Sequence, residues 1–370
     1  MAFICSLLLF VILLGVVVVV HELGHLVVAR ASGVFCEAFS FGFGPVLLAK
    51  KDKKETEWRL SLFPLGGYLK MFGDADVSSV REVIPAGYTE DDMERMSVHR
   101  KKPWQRLLIS AGGPFANFIL SVFVIFTLSL MQGIPEHTNT ISVKDENSLA
   151  YTSGLRDGDV IVEANGSKIN NFEELKSQIV ASRGTTLKLL LQRNGETEEL
   201  SIDMFTEEDG KVIPVEVLGI TPQALVYKNA SIAAAAKVSV TLTYFMAYEN
   251  IRTVFKVITR QASYKNVGGL ISIFKVSERS AEAGFFSFIL MIAMISSVLG
   301  AVNLLPIPML DGGAIVIAIV ECVLGRPLNK KFVEFIFIVG LVVVASLMLL
   351  GTWNDLVNCK IFNWLETLFK

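Results

Sequence analysis

The sequence predicts an α-helical polytopic membrane protein of about four transmembrane helices with a β-rich domain inserted among them. Three observations carry this. Long apolar runs crowd both ends of the 370-residue chain, the middle has ordinary polar composition, and that middle is marked by short strand-like runs between turn signals. Hydrophobic residues make up 52% of the chain and charged ones 19%, with a mean hydropathy of +0.52. A soluble chain carries about 45–50% and about 25%. The formal charge of −2 and the lack of a basic block give no footing for nucleic acid. Cys5, Cys36, Cys322 and Cys359 are scattered without a CxxC pair and read as small hydrophobes in or near membrane segments.

A membrane helix needs about 20 mostly apolar residues. Four segments meet that: Phe3–Val28, Leu107–Met131, Phe285–Leu305 (running past a Pro-Gly break towards Val323) and Phe335–Gly351. The first lacks the basic start and small-residue cleavage site of a signal peptide. Basic residues follow the first span (Arg30, Lys50, Lys51, Lys53, Lys54), precede the second (Arg100, Lys101, Lys102, Arg106) and separate the third from the fourth (Arg326, Lys330, Lys331). All three clusters fit the cytoplasmic side, which puts the segment 132–284 and both termini outside. The expected organisation is a membrane core over 1–131, a β-rich domain over 136–222, a helical linker over 223–284 and a second membrane core over 285–370.

In the β-rich domain, Ile141–Val143, Asp159–Ala164, Thr186–Arg193 and Glu198–Met204 read as strands, with hairpin turns at Asn165-Gly166 and Asn194-Gly195. Phe172–Val180 reads as a helix capped by Asn171. Residues 227–262 are Ala-rich and partly apolar, with Tyr244, Phe245, Met246 and Tyr248 ahead of charged positions. They read as a helix at the membrane surface, with a fifth span as the alternative.

The chemistry sits in the first span. His21-Glu22-Leu23-Gly24-His25 is an H-E-x-x-H motif. Residues four apart share a helix face, so both imidazoles can meet one metal ion while Glu22 stands beside it as general base. Two of the chain's four histidines fall here, inside an otherwise apolar run, where ionisable groups are costly. A catalytic zinc takes three protein ligands and keeps a position for water. Asp311 is the third candidate, in Asn303-Leu304-Leu305-Pro306-Ile307-Pro308-Met309-Leu310-Asp311-Gly312-Gly313. Pro306 and Pro308 interrupt the helix there, and non-helical backbone at membrane depth requires a protein-lined or watery cavity. His99 and His137 lie in polar segments and read as bystanders. Asn303, an amide in an apolar span, reads either as a donor to a developing oxyanion or as a helix–helix hydrogen bond.

This pair of motifs resembles the signature of site-2 proteases, the intramembrane zinc metalloproteases. Gly42-Phe43-Gly44-Pro45, Pro64-Leu65-Gly66-Gly67-Tyr68 and Ala111-Gly112-Gly113-Pro114-Phe115-Ala116-Asn117 look like further family stretches. Ser153-Gly154-Leu155-Arg156-Asp157-Gly158-Asp159-Val160-Ile161 followed by Asn165-Gly166 resembles a bacterial PDZ domain, either a peptide binder or a docking module. Together they make the chain similar to the regulator-of-sigma-E protease branch. The resemblance implies zinc ligation by His21, His25 and Asp311, catalysis by Glu22, and a supporting or substrate role for Asn303, Pro306 and Pro308. Glu57–Met71 looks like the family's membrane-re-entrant β-loop, whose Trp58, Leu60, Leu62, Gly66 and Gly67 would hold an unwound substrate as an added strand.

The implied substrates are single-span membrane proteins, such as an anti-sigma factor or signal-peptide remnants, cut in a bacterial inner membrane with the PDZ-like domain outside. The chain departs from that branch in having room for one PDZ domain only. It also carries Gly268-Gly269-Leu270 where the family often has a Gly-Pro pair. Two other functions use the same residues: a metal transporter, or a non-catalytic scaffold presenting its PDZ-like domain.

Overall fold

The computed structural model describes residues 2–73, 84, 87–208, 211–214, 217–259, 261 and 269–358; Cys359 and Gly268 lie outside them. The chain divides into two units, one built from residues up to Leu128 together with those from Ala236 onward, the other from Ser129–Ala235.

The first unit opens with helix α1 (Ala2–Ala31), which contains the H-E-x-x-H motif and is long and apolar enough to cross a membrane. Strands β1 (Cys36–Lys51) and β2 (Glu57–Met71) follow. Both are long and bent, and their register makes one sheet of four segments. The run Val46–Lys51 lies against Ser61–Glu57, while Ala38–Phe41 faces Glu57–Leu60 on one side and Lys70–Gly67 on the other. The inner segment Glu57–Leu60 is therefore paired on both sides. Gly67–Met71 is an outer edge.

Asp52 closes the turn between the strands, accepting from the backbone N–H of Lys54 (2.8 Å) and Thr56 (3.2 Å) and from the Trp58 indole N–H (3.0 Å). Apolar side chains gather at the far end of the sheet, where Phe43, Val46, Leu48, Leu62 and Phe63 are exposed. Helix α2 (Glu90–Met96) starts in a capping box between Thr89 and Asp92. Helix α3 (Pro103–Gln132) is the second apolar helix of spanning length; Pro103 opens it where its missing N–H costs nothing.

The second unit is β-rich. Pairing joins β3 (Ile134–His137) to β12 (Leu225–Lys228) and β4 (Ile141–Ser142) to β11 (Thr221–Pro222). Helix α4 (Leu149–Thr152) precedes a four-stranded sheet of β5 (Val160–Ala164), β6 (Ser167–Lys168), β7 (Thr186–Arg193) and β8 (Glu196–Asp203), ordered β6-β5-β7-β8. Helix α5 (Phe172–Ala181) lies between β6 and β7 in sequence, with the Asn171 side chain accepting from the Glu174 N–H at 2.9 Å. Strands β9 (Phe205–Glu208) and β10 (Lys211–Pro214) form a separate ribbon.

The tight turns at Asn165-Gly166 and Asn194-Gly195 have positive φ at both positions, the geometry for which Asn-Gly is favoured. Leu155, Ile161, Leu175, Leu187, Leu191 and Ile202 fill the core. Beside it the buried Asp159 accepts from Arg193 Nε and Nη2, each at 2.8 Å, and from the Arg156 backbone N–H.

The chain re-enters the first unit along α6 (Ile232–Ile258). By length and composition α6 is not among the four helices fit to span a membrane. It is held to α3 and α8 (Phe285–Asn303) by buried polar contacts. Thr243 Oγ1 lies 3.1 Å from Ser121 Oγ, and its carbonyl accepts from Ser297 Oγ at 3.2 Å. Between them α7 (Leu270–Glu282) leans on α1, with Phe274 edge-on to Phe10 and Glu278 accepting from Ser6. The start of α7 is capped by Asp355, which accepts from the Ser272 N–H at 3.0 Å. Helix α9 (Asp311–Leu324) and helix α10 (Lys330–Asn358) complete the unit, α10 supplying Asp355. Helices α1, α3, α8 and α10 are the four of spanning character. Each matches a span expected from the sequence. The third run is interrupted after Asn303 and resumes as α9 at Asp311.

Candidate active site

His21 and His25 lie on one face of α1, and α3 crosses that helix at a glycine pair. A Cβ on Gly24 would lie 2.2 Å from the Gly112 carbonyl oxygen, and one on Gly112 would lie 2.7 Å from that of Gly24. Only glycine at both positions lets the two backbones approach so closely. The crossing puts α3's own groups against the imidazoles. His25 Nδ1 donates to the Ile109 carbonyl at 2.8 Å, and the Asn117 amide lies 3.3 Å from His21 Nδ1. Gly113 leaves the space beside the rings open, since a Cβ there would meet His25 Nε2 at 2.3 Å.

Asp311 arrives from the other half of the chain as the first residue of α9. The loop before it folds back so tightly that a Cβ on Gly312 would lie 2.2 Å from the Leu305 carbonyl oxygen, and one on Gly313 would lie 2.5 Å from that of Ile307. Pro306 and Pro308 stop α8 from continuing, and Met309 takes a positive φ of 80° just before the new helix. The result is a carboxylate at the head of a helix, 3.2 Å from His21 Nε2 and 3.3 Å from His25 Nε2. The two Nε2 atoms are 3.2 Å apart.

These distances test whether a metal fits. Tetrahedral bonds of about 2.0–2.1 Å place neighbouring ligand atoms about 3.3 Å apart, close to the edges observed. The chemistry agrees. With Nδ1 donating to Ile109, neutral His25 turns a lone pair inward, and the buried Oδ2 of Asp311 has no hydrogen bond among the described residues. Converging lone pairs and an unpaired carboxylate oxygen repel one another unless a cation lies between them. His21, His25 and Asp311 are the one such cluster among the described residues.

The cluster faces a cavity of about 490 Å³. Glu22 lines it, as do Gly67, Tyr68 and Leu69 from the outer edge of the sheet and Asn303 from the end of α8. The Leu69 backbone N–H is directed at the Glu22 carboxylate. The other residues singled out by sequence are elsewhere. Trp58, Leu60, Leu62 and Gly66 belong to the sheet without lining the cavity, and Pro306 and Pro308 shape the turn before Asp311. Trp58 and Leu60 sit in the doubly paired segment and so offer no free strand edge. His99, set aside in the sequence, is part of the cavity wall, together with Arg106.

Arg106 pairs with Glu321 of α9, whose other oxygen accepts from the Leu328 N–H at 2.8 Å. Sequence reasoning missed Ile109, Gly113 and Asn117 as parts of the site. Gly113 and Asn117 lie in the Ala111–Asn117 stretch noted above without a role being assigned to them, and Asn117 carried a further signal as a polar side chain inside an apolar run.

An H-E-x-x-H helix of membrane-spanning length and composition, joined to a carboxylate from a distant helix, defines a class of peptidase, and comparison with known proteins gives its family. The profile described as Peptidase family M50 matches residues 9–347, and the chain belongs to that family. A putative zinc metalloprotease of Agrobacterium fabrum is 31% identical over 94% of this chain and 94% of its own length. One of Clostridium acetobutylicum is 32% identical over 93% and 95%. The regulator of sigma-W protease of Bacillus subtilis is 26% identical over 96% and 99%.

Proposed function

We propose that this chain, a zinc metalloprotease by its family, hydrolyses peptide bonds within or beside the membrane segments of single-span substrates. The observation that carries this reading is the convergence of His21 Nε2, His25 Nε2 and Asp311 at 3.2–3.3 Å, beside Glu22, on a helix of spanning length. His21, His25 and Asp311 would hold the metal. When bound, zinc supplies Lewis-acid polarisation and brings the pKa of a bound water down to about 7.

The chain's residues do the rest. Glu22 takes the proton of the attacking water and passes it to the leaving amine, roles that fit its place on the cavity wall beside the imidazoles. Asn303, on the same wall, donates to the oxygen of the scissile carbonyl as negative charge develops there. A helical substrate must unwind before its carbonyls are reachable. The outer edge Gly67–Met71 is paired on one side with Ala38–Phe41, and on its cavity side, where the Leu69 N–H is directed at Glu22, it offers a substrate strand a place to add. Its apolar far end supports a sheet that dips into the bilayer as a re-entrant loop, with Trp58, Leu60 and Leu62 packing or facing lipid.

The organisation proposed for the chain is the one expected above: membrane cores at 1–131 and 285–370, a PDZ-like domain at 136–222 and a helical linker at 223–284. The basic residues following α1, preceding α3 and preceding α10 support a cytoplasmic position for those ends in a bacterial inner membrane. The PDZ-like domain would then face outward, where it docks or captures a peptide. Substrates of the anti-sigma-factor or signal-peptide-remnant type fit this arrangement.

The test co-expresses tagged single-span substrates with wild type or Glu22→Gln and measures zinc in both purified proteins. Cleavage by wild type alone, with about one zinc per chain in both, is the expected result. Equal processing by both, or no zinc in wild type, overturns the reading.

A further inference from the structure

We propose that Asn117 is a positioning residue that holds His21 as an Nε2 ligand by accepting its Nδ1–H, an inference that rests on the zinc reading above. An imidazole that gives Nε2 to a metal carries its hydrogen on Nδ1, and that hydrogen needs an acceptor. For His25 the acceptor is the Ile109 carbonyl, a backbone group that any residue at that position would supply. For His21 the group at Nδ1 is a side chain: Asn117, fully buried, its amide 3.3 Å away.

As placed, the Asn117 amide nitrogen faces Nδ1, and its oxygen is buried with no hydrogen bond among the described residues. Two N–H groups would then point at each other while an acceptor stood idle. The nitrogen and oxygen of an amide have the same shape and are assigned by their hydrogen bonds. The zinc-loaded tautomer of His21 requires the amide to be turned by half a rotation, so that Oδ1 accepts from Nδ1–H.

The residue is also held from behind. Ser296 of α8 donates to the Asn117 backbone carbonyl at 2.9 Å, with both partners buried. Asn117 thus ties three helices together beside the His21–His25–Asp311 cluster: α1 through His21, α3 through its own backbone, and α8 through Ser296. The two histidines differ in consequence. The partner of His25 cannot be removed by mutation, whereas the partner of His21 can.

The experiment uses the purified full-length chain in detergent as wild type, Asn117→Leu and Asn117→Asp. Zinc affinity is read by competition with a chromophoric chelator, and the thermal midpoint of the zinc-free protein is measured in parallel. Leu keeps the approximate volume and removes the acceptor, so affinity falls about 10–100-fold, the usual effect of losing such an outer partner. Asp restores an acceptor and keeps affinity within about threefold of wild type.

Unchanged zinc affinity in the Leu variant overturns the inference, as does a loss in the Asp variant as large as that in the Leu variant. Either would make Asn117 a packing residue between helices. If Asn117→Leu fails to fold, the Asp variant decides alone, and a loss above tenfold refutes the role. Wild type that takes up no zinc sinks both this inference and the zinc reading. Wild type that binds zinc, with a Leu variant that binds it equally, sinks this inference only.

Discussion

Replacing Gly113 by alanine isolates the geometry of the metal site from the stability of its helix. Gly113 lies inside α3, and its φ is not positive, so alanine suits the backbone. Propensity alone would make the helix more stable by about 1 kcal/mol. The added Cβ, however, would stand 2.3 Å from His25 Nε2 and 2.7 Å from His21 Cε1. Carbon contacts settle at about 3.5 Å, so His25 must retreat by about 1.2 Å, several times the ~0.2 Å tolerance of a metal–ligand distance.

The ring cannot swing freely, because Nδ1 is fixed to the Ile109 carbonyl at 2.8 Å. Nor can α3 back away without opening the Gly24–Gly112 crossing. The expected outcome is a protein that folds but loses at least about 10–100-fold in zinc affinity and nearly all peptidase activity. Zinc content after dialysis against a chelator, alongside the thermal midpoint of the zinc-free protein, provides the assay. A Gly113→Ala variant that keeps one zinc per chain and wild-type activity would refute the packing argument. One that fails to fold would show that the crossing, not the ligand position, is the sensitive element.

Three other perturbations address the surrounding structure. Arg106→Met leaves the buried Glu321 carboxylate with only the Leu328 N–H, and should cost about 3–5 kcal/mol in thermal unfolding; in Arg106→Met/Glu321→Met most of that should return, because no lone charge remains. Ser121→Val or Thr243→Val alone strands a buried hydroxyl between α3 and α6 and should lower stability by about 1 kcal/mol, while the double variant loses less than the sum of the two singles in a mutant cycle. The Asp52 carboxyl is held well below the usual carboxylate range, first by the Trp58 indole N–H and then by Arg30. Its contribution is therefore fully present above about pH 4, the unfolded value, and is lost as pH falls through the lower folded value. Protection of the Lys54 and Thr56 amides, taken as exchange relative to an unstructured peptide at the same pH, should hold at pH 5 and fall in strong acid, and Asp52→Ala should lose it at both; pH-independent protection in wild type would remove Asp52 as the clasp of this turn.

What the sequence made legible follows from how local each signal is. The spans were readable because an unbroken run of about 20 apolar residues matches the thickness of a bilayer and seldom suits a soluble fold. Their ends were less so: α10 runs Lys330–Asn358 around an apolar centre of Phe335–Gly351, because a helix continues past the hydrocarbon as long as its backbone bonds continue. Thr186–Arg193 and the Asn171 cap were readable from alternation and turn chemistry. The H-E-x-x-H pair needs only helical spacing, and Asp311 was found because two prolines and two glycines around a carboxylate are hard to place in any ordinary span.

The sheet was harder. Glu57–Met71 showed its alternation, but Cys36–Lys51 did not declare itself a strand, since its bend and double register are set by partners far along the chain. For the same reason, the segment with the clearest strand pattern, Trp58 to Leu60, proved to be interior, while the outer edges lie at Val46–Lys51 and Gly67–Met71. Ile109 was invisible in principle, since a backbone carbonyl carries no mark in the sequence.

For the metal site proposed above, the glycines supply a way of holding ligands on helices of spanning length. In water, polar ligands are positioned by networks of solvated neighbours. In hydrocarbon those neighbours are scarce, and van der Waals packing between backbones takes over. Gly24 against Gly112 brings α3 onto α1, Gly312 and Gly313 fold the Pro306–Pro308 turn onto α9, and Gly340 of α10 lets the Pro308 carbonyl approach to where a Cβ would stand 2.2 Å away. Each contact is backbone on backbone, so it sets the position of a helix rather than of a side chain. The imidazoles and Asp311 then ride on helices set by these contacts, with their ligand atoms 3.2–3.3 Å apart. It follows that small substitutions at these glycines should damage zinc binding more than they damage folding. Comparable substitutions at Gly158 or Gly195, where an added Cβ meets nothing within 4 Å, should strain a turn at positive φ and leave the metal untouched.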